Sequence, residues 1–111
     1  MLDLKQWDVW EADVPFEENV RHTKRRPVVI IDSSLVLVLK LTTHNSSDKP
    51  RPFEYELSKW AEAGLSKKTF VQCDRLIRLS EENFTGNRIG RIHLVDMYGI
   101  RQMAKFHGLS I

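Results

Sequence analysis

The stretch Arg25-Arg26-Pro27-Val28-Val29-Ile30-Ile31 decides the fold of this chain. Its last four residues are all β-branched and apolar, which is typical of a strand buried on both faces. Proline lacks a backbone N–H and therefore suits the beginning of a strand better than its middle. We predict a central strand over residues 27–31, entered through two cations.

Further strand patterns lie on both sides of this segment. Residues 7–13 alternate apolar and polar side chains, as in a half-buried strand, and residues 35–42 are apolar after an Asp-Ser-Ser turn. We predict strands over residues 7–13, 27–31, 35–42, 53–57, 68–79 and 88–93, helices over 59–63 and 94–106, and polar loops over 16–26 and 43–52. Such an arrangement indicates a mainly β (α+β) fold, a small barrel or strongly bent sheet with a C-terminal helix.

Length and composition indicate one globular unit. The chain has 111 residues, of which 41% are hydrophobic and 29% charged, so we expect a single domain over residues 1–111. A single cysteine, Cys73, excludes an intramolecular disulfide. The first ten residues lack the pattern of a signal peptide, and the longest apolar run, residues 34–39, is too short for a membrane span. We expect a cytoplasmic protein with no membrane partner.

The charges are unevenly distributed, although the net charge is only +2. Residues 1–20 carry one lysine against six acids, whereas residues 21–52 carry seven lysines and arginines against two aspartates. A local group of cations can bind phosphate on a nearly neutral protein. The basic middle third is therefore a candidate ligand site, unless it simply pairs with the acidic first segment.

Motifs for metals and nucleotide cofactors are missing from the sequence. The five glycines form no phosphate-binding loop, and the chain contains no GxSxG motif. The histidines are not spaced as metal ligands, and Cys73 has no second thiol nearby. We therefore expect no cofactor and no metal site.

Several segments, taken in order, resemble one protein family. They are Asp8–Asp13 with Pro15-Phe16, Arg25–Ile31, Lys40–Thr43, Gly64-Leu65, Val71–Asp74 with Ile77–Leu79, and Gly90–Ile92 followed by Asp96. In these segments the chain resembles the MazF/PemK toxins of bacterial type II toxin–antitoxin systems. The resemblance extends over nearly the whole chain, and RPVVII together with CDxxxRL is its most specific part.

This resemblance implies a fold, a reaction and partners. The fold is an SH3-like barrel with short helices, usually paired as a homodimer. The reaction is metal-independent, sequence-selective cleavage of single-stranded RNA or mRNA, in which the 2′-hydroxyl of the RNA is the nucleophile. The protein partner is a cognate antitoxin that blocks the RNA groove, and DNA is contacted only indirectly, through a complex with that antitoxin.

The resemblance also implies catalytic residues. Arg26 matches the family's catalytic arginine, whose forked donors suit a phosphate that gains charge. Thr42 matches the active-site threonine, and Asp74 matches an aspartate proposed as the general base, a role favoured by partial burial within a strand. His22 lies in the first loop, where some members carry an assisting histidine, although its spacing to the arginine differs.

The chain departs from the family at the position of the proposed general acid. Gln72 stands there instead of arginine, and Arg75, three residues further along the predicted strand, should point to the opposite face. Arg25 or His44 would be left to supply the proton. Candidate RNA-binding residues are the stacking platform Phe16 and the polar groups Lys24, Arg25, His44, Lys49, Arg51, Gln72 and Arg75, whereas the three tryptophans are expected in the core or a dimer interface.

Two alternative functions remain open at this point. A non-catalytic relative that binds RNA or protein would explain Gln72 and the altered first loop. A gyrase poison resembling CcdB would share the fold, but such toxins depend on a C-terminal tryptophan, and this chain ends in His107-Gly-Leu-Ser-Ile111. Retention of Arg26 and Thr42 favours the RNA-cleaving toxin.

Overall fold

The computed structural model describes residues 2–19, 21–44 and 49–111, and therefore leaves part of both predicted polar loops, residue 20 and residues 45–48, outside the description. Its strands are β1 (Asp8–Pro15), β2 (Thr23–Asp32), β3 (Leu37–Thr42), β4 (Glu54–Glu56), β5 (Phe70–Gln72), β6 (Ile77–Arg78) and β7 (Arg88–Arg91). A 3-10 turn covers Glu81–Asn83, and one α-helix, α1, covers Leu94–Phe106. Helix α1 has the predicted bounds.

The strands form one antiparallel sheet in the order β4-β5-β3-β2-β1-β7, and β6 also pairs with β3. The central position predicted for residues 27–31 is confirmed, because β2 pairs with β1 on one side and β3 on the other. Across the described residues the sheet does not close into a barrel, and β4, β6 and β7 each pair with only one other strand. The mainly β class with a C-terminal helix is confirmed, and the sheet is open instead of a closed barrel.

Both faces of the three central strands are buried. One apolar cluster contains Val9, Val29 and Leu39 and packs against Ile100 of α1. The other contains Val28, Ile30 and Val38, on the opposite face of the same strands. Because neighbouring strand residues alternate between faces, two cores explain why the sequence of β2 is continuously apolar. Trp7 and Trp10 are buried in these cores, as expected.

The first predicted loop is shorter than residues 16–26. Strand β2 begins at Thr23, since Pro15 pairs with Thr23 and Asp13 pairs with Arg25 in a continuous antiparallel ladder with β1. The polar sequence Thr-Lys-Arg-Arg looked like a loop, but its side chains are exposed or only partly buried on a hairpin arm. Lys24, Arg25 and Arg26 are therefore held on a strand, which fixes their directions.

The helix predicted over residues 59–63 is wrong. Residues 58–64 form successive turns, closed by bonds such as Ala63 N to Lys59 O and Gly64 N to Ala61 O. Gly64 has a φ of 92°, which suits glycine, and Gly90 approaches the Ala63 carbonyl too closely for any side chain. Residues 63 and 64 thus pack closely against β7 as part of a series of turns, and they do not form a regular helix.

The long strand predicted over residues 68–79 is divided in two. Leu41 pairs with Val71 of β5, whereas Leu37 pairs with Arg78 of β6. The segment from Val71 to Arg78 is therefore three residues longer than the stretch of β3 that it pairs with. After Gln72 the chain no longer pairs with β3, and the Cys73 N–H instead bonds to the Phe53 carbonyl, next to β4. Arg75 lies in this interruption, and the expectation that it points to the opposite face of a strand is wrong.

A buried carboxylate ties α1 to the turns after β4. Asp96, in the first helical turn, is fully buried. It accepts hydrogen bonds from the Tyr55 hydroxyl (2.8 Å), from the Ser58 backbone and hydroxyl (3.0 and 2.8 Å) and from the Lys59 backbone (2.9 Å). In the described ranges, no helix is long and apolar enough to cross a membrane.

Candidate active site

Arg26, in the first half of β2, and Thr42, the last residue of β3, line one cavity. Val28 pairs with Lys40, and continuing this antiparallel register by two residues places Arg26 opposite Thr42. Because side chains alternate along a strand, Arg26 and Val28 of β2 lie on the same face as Lys40 and Thr42 of β3. On this face Val28 belongs to the apolar core, whereas the other three side chains are only partly buried. The register of β2 and β3 thus brings together two residues that the family resemblance singles out.

Two cavities lie on either side of Arg26. The smaller, of about 380 Å³, is lined by Lys24, Arg25, Arg26, Pro27, Leu41, Thr42 and Thr43, and we call it the Thr42 cleft. The larger, of about 450 Å³, is lined by Phe16, Glu17, Glu18, Arg26, Lys40, Arg51, Phe53, Gln72 and Asp74, and we call it the Lys40 cleft. Arg26 lines both, so its guanidinium can serve a ligand that spans the two.

Lys40 is a site residue that the sequence analysis missed. It is partly buried on β3, and one step from the pair Leu41–Val71 the same register sets it opposite Gln72 of β5. Burial lowers the pKa of Lys40, and the positive charges of Arg26 and Arg75 lower it further, while Glu17 and Glu18 act in the opposite direction. A lysine inside an otherwise apolar strand was the available signal.

The larger cleft contains acids as well as cations. Glu17 and Glu18 come from the connection between β1 and β2, and Asp74 follows β5. The Glu17 carboxylate forms an ion pair with Arg75 (2.9 Å), which brings Arg75 to the mouth of the cleft. Asp74 is exposed and lies outside the strand, so the partial burial expected for a general base is not observed. Within this cleft the three acids balance the three cations.

The remaining candidates lie elsewhere or have other partners. Arg25 donates to the Thr85 hydroxyl (3.1 Å) and lies 3.8 Å from the Asp13 carboxylate. His22 is exposed, and its ring bonds to Asn19 (2.7 Å). Neither His22 nor Lys49 lines either cleft.

His44 and Glu54 form a second polar pair beside the site. The His44 ring bonds to the nearly fully buried Glu54 carboxylate at 2.8 Å and packs against Phe70. His44 lines neither cleft, although it follows Thr42 by only two residues. No sequence pattern pointed to Glu54, since its burial depends on pairing between β4 and β5.

The described ranges, which omit residues 1, 20 and 45–48, contain no group of three His, Cys, Asp or Glu side chains able to hold a metal ion. The polar groups that the site does offer are guanidinium, ammonium, hydroxyl, amide and carboxylate. Together they can bind a phosphodiester and move protons.

Residues 5–106 match the family described as PemK-like, MazF-like toxins of type II toxin–antitoxin systems. The chain belongs to this family. The match covers most of the chain and confirms the resemblance found in its sequence motifs. None of the curated proteins shows significant sequence similarity to the chain.

Two solved structures share the fold of this PemK-like chain. One is an endoribonuclease in complex with its cognate antitoxin from a mycobacterial species, with a TM-score of 0.70, 16% identity and 99% of each chain covered. The other is MazE–MazF from Deinococcus radiodurans, with a TM-score of 0.59, 16% identity and the same coverage. At this identity the likeness concerns the fold.

Proposed function

We propose that this toxin is an endoribonuclease that cleaves single-stranded RNA between the Thr42 and Lys40 clefts. The observation that carries the proposal is the position of Arg26, which lies in the β1–β2 ladder and lines both cavities. A phosphodiester that lies between the two clefts would contact the Arg26 guanidinium. The family and the endoribonuclease of the same fold support this activity.

The proposed chemistry needs no metal, because the RNA itself provides the nucleophile. The 2′-oxygen attacks the adjacent phosphorus, the bond from phosphorus to the 5′-oxygen breaks, and a 2′,3′-cyclic phosphate and a 5′-hydroxyl result. Arg26 stabilises the charge that develops on the phosphate, and the Thr42 hydroxyl orients it. Asp74, exposed at the larger cleft, accepts the proton of the 2′-hydroxyl.

Cleavage of a long RNA by the purified protein tests this function. Primer extension would map the cut sites for the wild type and for Thr42→Ala, with Thr23→Ala as the control, because Thr23 is exposed and lines neither cleft. We expect cuts at a recurring short motif that are strongly reduced only in Thr42→Ala. Cleavage that is equal in both variants, or no cleavage by folded wild type, would contradict the proposal.

Binding without cleavage is the second candidate function. The observation in its favour is the Lys40 cleft, where Gln72 offers an amide and the acids balance the cations. Folded wild type that binds RNA and leaves it intact would support this alternative.

The acidic side of the cleft gives a prediction about RNA affinity. Glu17 repels phosphates and holds Arg75, so Glu17→Gln should tighten binding of a non-cleavable 2′-O-methyl RNA about three- to fivefold at low salt, and less at high salt. Fluorescence anisotropy measures the change. Glu81→Gln, which removes the same charge on the 3-10 turn, should have a smaller effect, and equal effects of the two variants would refute the role of Glu17.

The proposed partners are a cognate antitoxin and a second copy of this chain. Exposed on α1 are four large apolar side chains, Leu94, Val95, Tyr98 and Phe106, and Phe106 is 84% exposed. Exposed apolar patches mark interaction surfaces, and the homodimer implied by the family resemblance would cover this one.

Light scattering tests the proposed homodimer. We expect twice the chain mass of 13.0 kDa for wild type and a shift towards monomer for Phe106→Glu. Leu35→Glu, which changes an exposed leucine in the turn between β2 and β3, should leave the mass unchanged. A monomeric wild type would contradict the dimer.

A further inference from the structure

The cations of the Lys40 cleft differ in their ability to give up a proton. Arg26 and Arg51 carry guanidinium groups, a class of side chain that does not serve as a proton donor in acid catalysis. Lys40 is the only lysine that lines this cleft among the residues described. Gln72, opposite it, carries an amide that does not act as an acid.

The two substitutes expected from the sequence have other partners. Arg25 lines the Thr42 cleft and not the Lys40 cleft, and its guanidinium is held by Thr85 and Asp13. The His44 ring is bonded to Glu54 and does not line the cleft. Lys40, in contrast, lies on the same face as Arg26 and in the same cavity.

The surroundings of Lys40 favour loss of its proton. Burial and the charges of Arg26 and Arg75 lower its pKa, against the opposing effect of Glu17 and Glu18. Asp74 and Arg51 also line the cavity that it faces. A general acid works best when it releases its proton near the working pH.

We propose that Lys40 is the general acid of this site and protonates the 5′-oxygen as that oxygen leaves phosphorus. The inference rests on the proposed RNA cleavage and adds a residue to it. The 2′-oxygen forms its bond to phosphorus and its proton passes to Asp74, while the bond to the 5′-oxygen breaks and that oxygen takes a proton from the Lys40 ammonium. Asp74 then releases its proton to water and the Lys40 amine takes one up from water, which restores both groups, and no metal or redox partner takes part.

A substrate with sulfur in place of the leaving 5′-oxygen tests this role. A thiolate leaves without protonation, so such an RNA does not need a general acid. Oligonucleotides that span a mapped cut site, with oxygen or sulfur at this position, would be cleaved by wild type, Lys40→Met, Lys40→Arg and Lys67→Met. Lys67 is exposed and lines neither cleft, and thus provides the matched control.

We expect Lys40→Met to cleave the oxygen substrate about 10²-fold more slowly than wild type, and the sulfur substrate at nearly the rate of Lys67→Met. Lys40→Arg restores the charge but not the proton donor, and should remain slow on oxygen. In wild type, the alkaline decline of kcat/KM should lie below pH 10.5, the usual pKa of lysine.

Two results would overturn the assignment while leaving the proposed function in place. One is equal slowing of Lys40→Met on both substrates, which would mean that Lys40 binds phosphate instead. The other is a rate for Lys40→Met equal to that of Lys67→Met on the oxygen substrate. If wild type cleaves neither substrate, the proposed function fails and the role of Lys40 with it.

Discussion

Replacing Arg26 with alanine is expected to reduce kcat/KM for RNA cleavage about 10³-fold, because a preorganised donor to the developing charge is lost. The side chain leaves the sheet where the buried face of β2 ends, and no other described residue lines both clefts. Arg26→Lys keeps the charge but loses the fork of parallel donors, so it should recover only part of the activity. Single-turnover cleavage of an oligonucleotide measures the effect.

The matched control for this change is Arg78→Ala. Arg78 is exposed on β6 and pairs with Leu37, at the opposite end of β3 from Thr42. The Arg78→Ala variant removes the same charge as Arg26→Ala, and we expect it to change the cleavage rate little. Such a result would show that the loss in Arg26→Ala comes from the position of Arg26 in the site. Comparable losses in the two variants would mean that net charge, and not the position of Arg26, governs the activity.

Asp96→Ala is expected to reduce the free energy of unfolding by about 3 kcal/mol or more. It would leave the Ser58 and Lys59 backbone N–H groups and two hydroxyls without their charged acceptor. The loss is a large share of the stability of a typical small domain. Urea unfolding measures it, and Asp3→Ala, at an exposed aspartate, should stay within about 0.5 kcal/mol of wild type.

The stabilisation by Asp96 should depend on pH in a defined direction. Burial would raise the pKa of Asp96, but hydrogen bonds from Ser58, Lys59 and Tyr55 outweigh burial, and the pKa lies below its usual 3.8. A lowered pKa in the folded state means that the contribution is complete above about pH 5 and is lost as the pH falls through the folded-state value. The gap between wild type and Asp96→Asn should therefore narrow in acid, and a gap that widens there would contradict the assignment.

Patterns confined to neighbouring residues predicted the fold well. Helix α1 and the central position of β2 follow from periodicity and from a run of β-branched residues, which few other structures accommodate. The division of residues 68–79 into β5 and β6 could not be predicted this way, because both halves are apolar enough for a strand. The interruption is visible only in the pairing of both segments with β3, whose register shifts by three residues between β5 and β6.

The sequence predicted some residues of the candidate site, whereas others are recognised only in the folded structure. Arg26, Thr42 and Asp74 were found through motifs that resemble a family, and the structure places Arg26 beside each of the other two. Lys40 was missed because its importance depends on long-range pairing of β3 with β2 and β5. In the sequence Glu17 and Glu18 are simply part of an acidic segment, and only the folded hairpin brings them to the cations.

The chemistry of the cleaved ends tests the central claim most directly. An RNA cleaved in excess EDTA would be compared with one carrying a single 2′-deoxynucleotide on the 5′ side of the mapped cut, and the product ends would be analysed by mass spectrometry. We predict a 2′,3′-cyclic phosphate and a 5′-hydroxyl from the first RNA, and no cut at that position in the second. Cleavage of the deoxy-substituted RNA at an undiminished rate, or products that carry a 5′-phosphate, would contradict the mechanism.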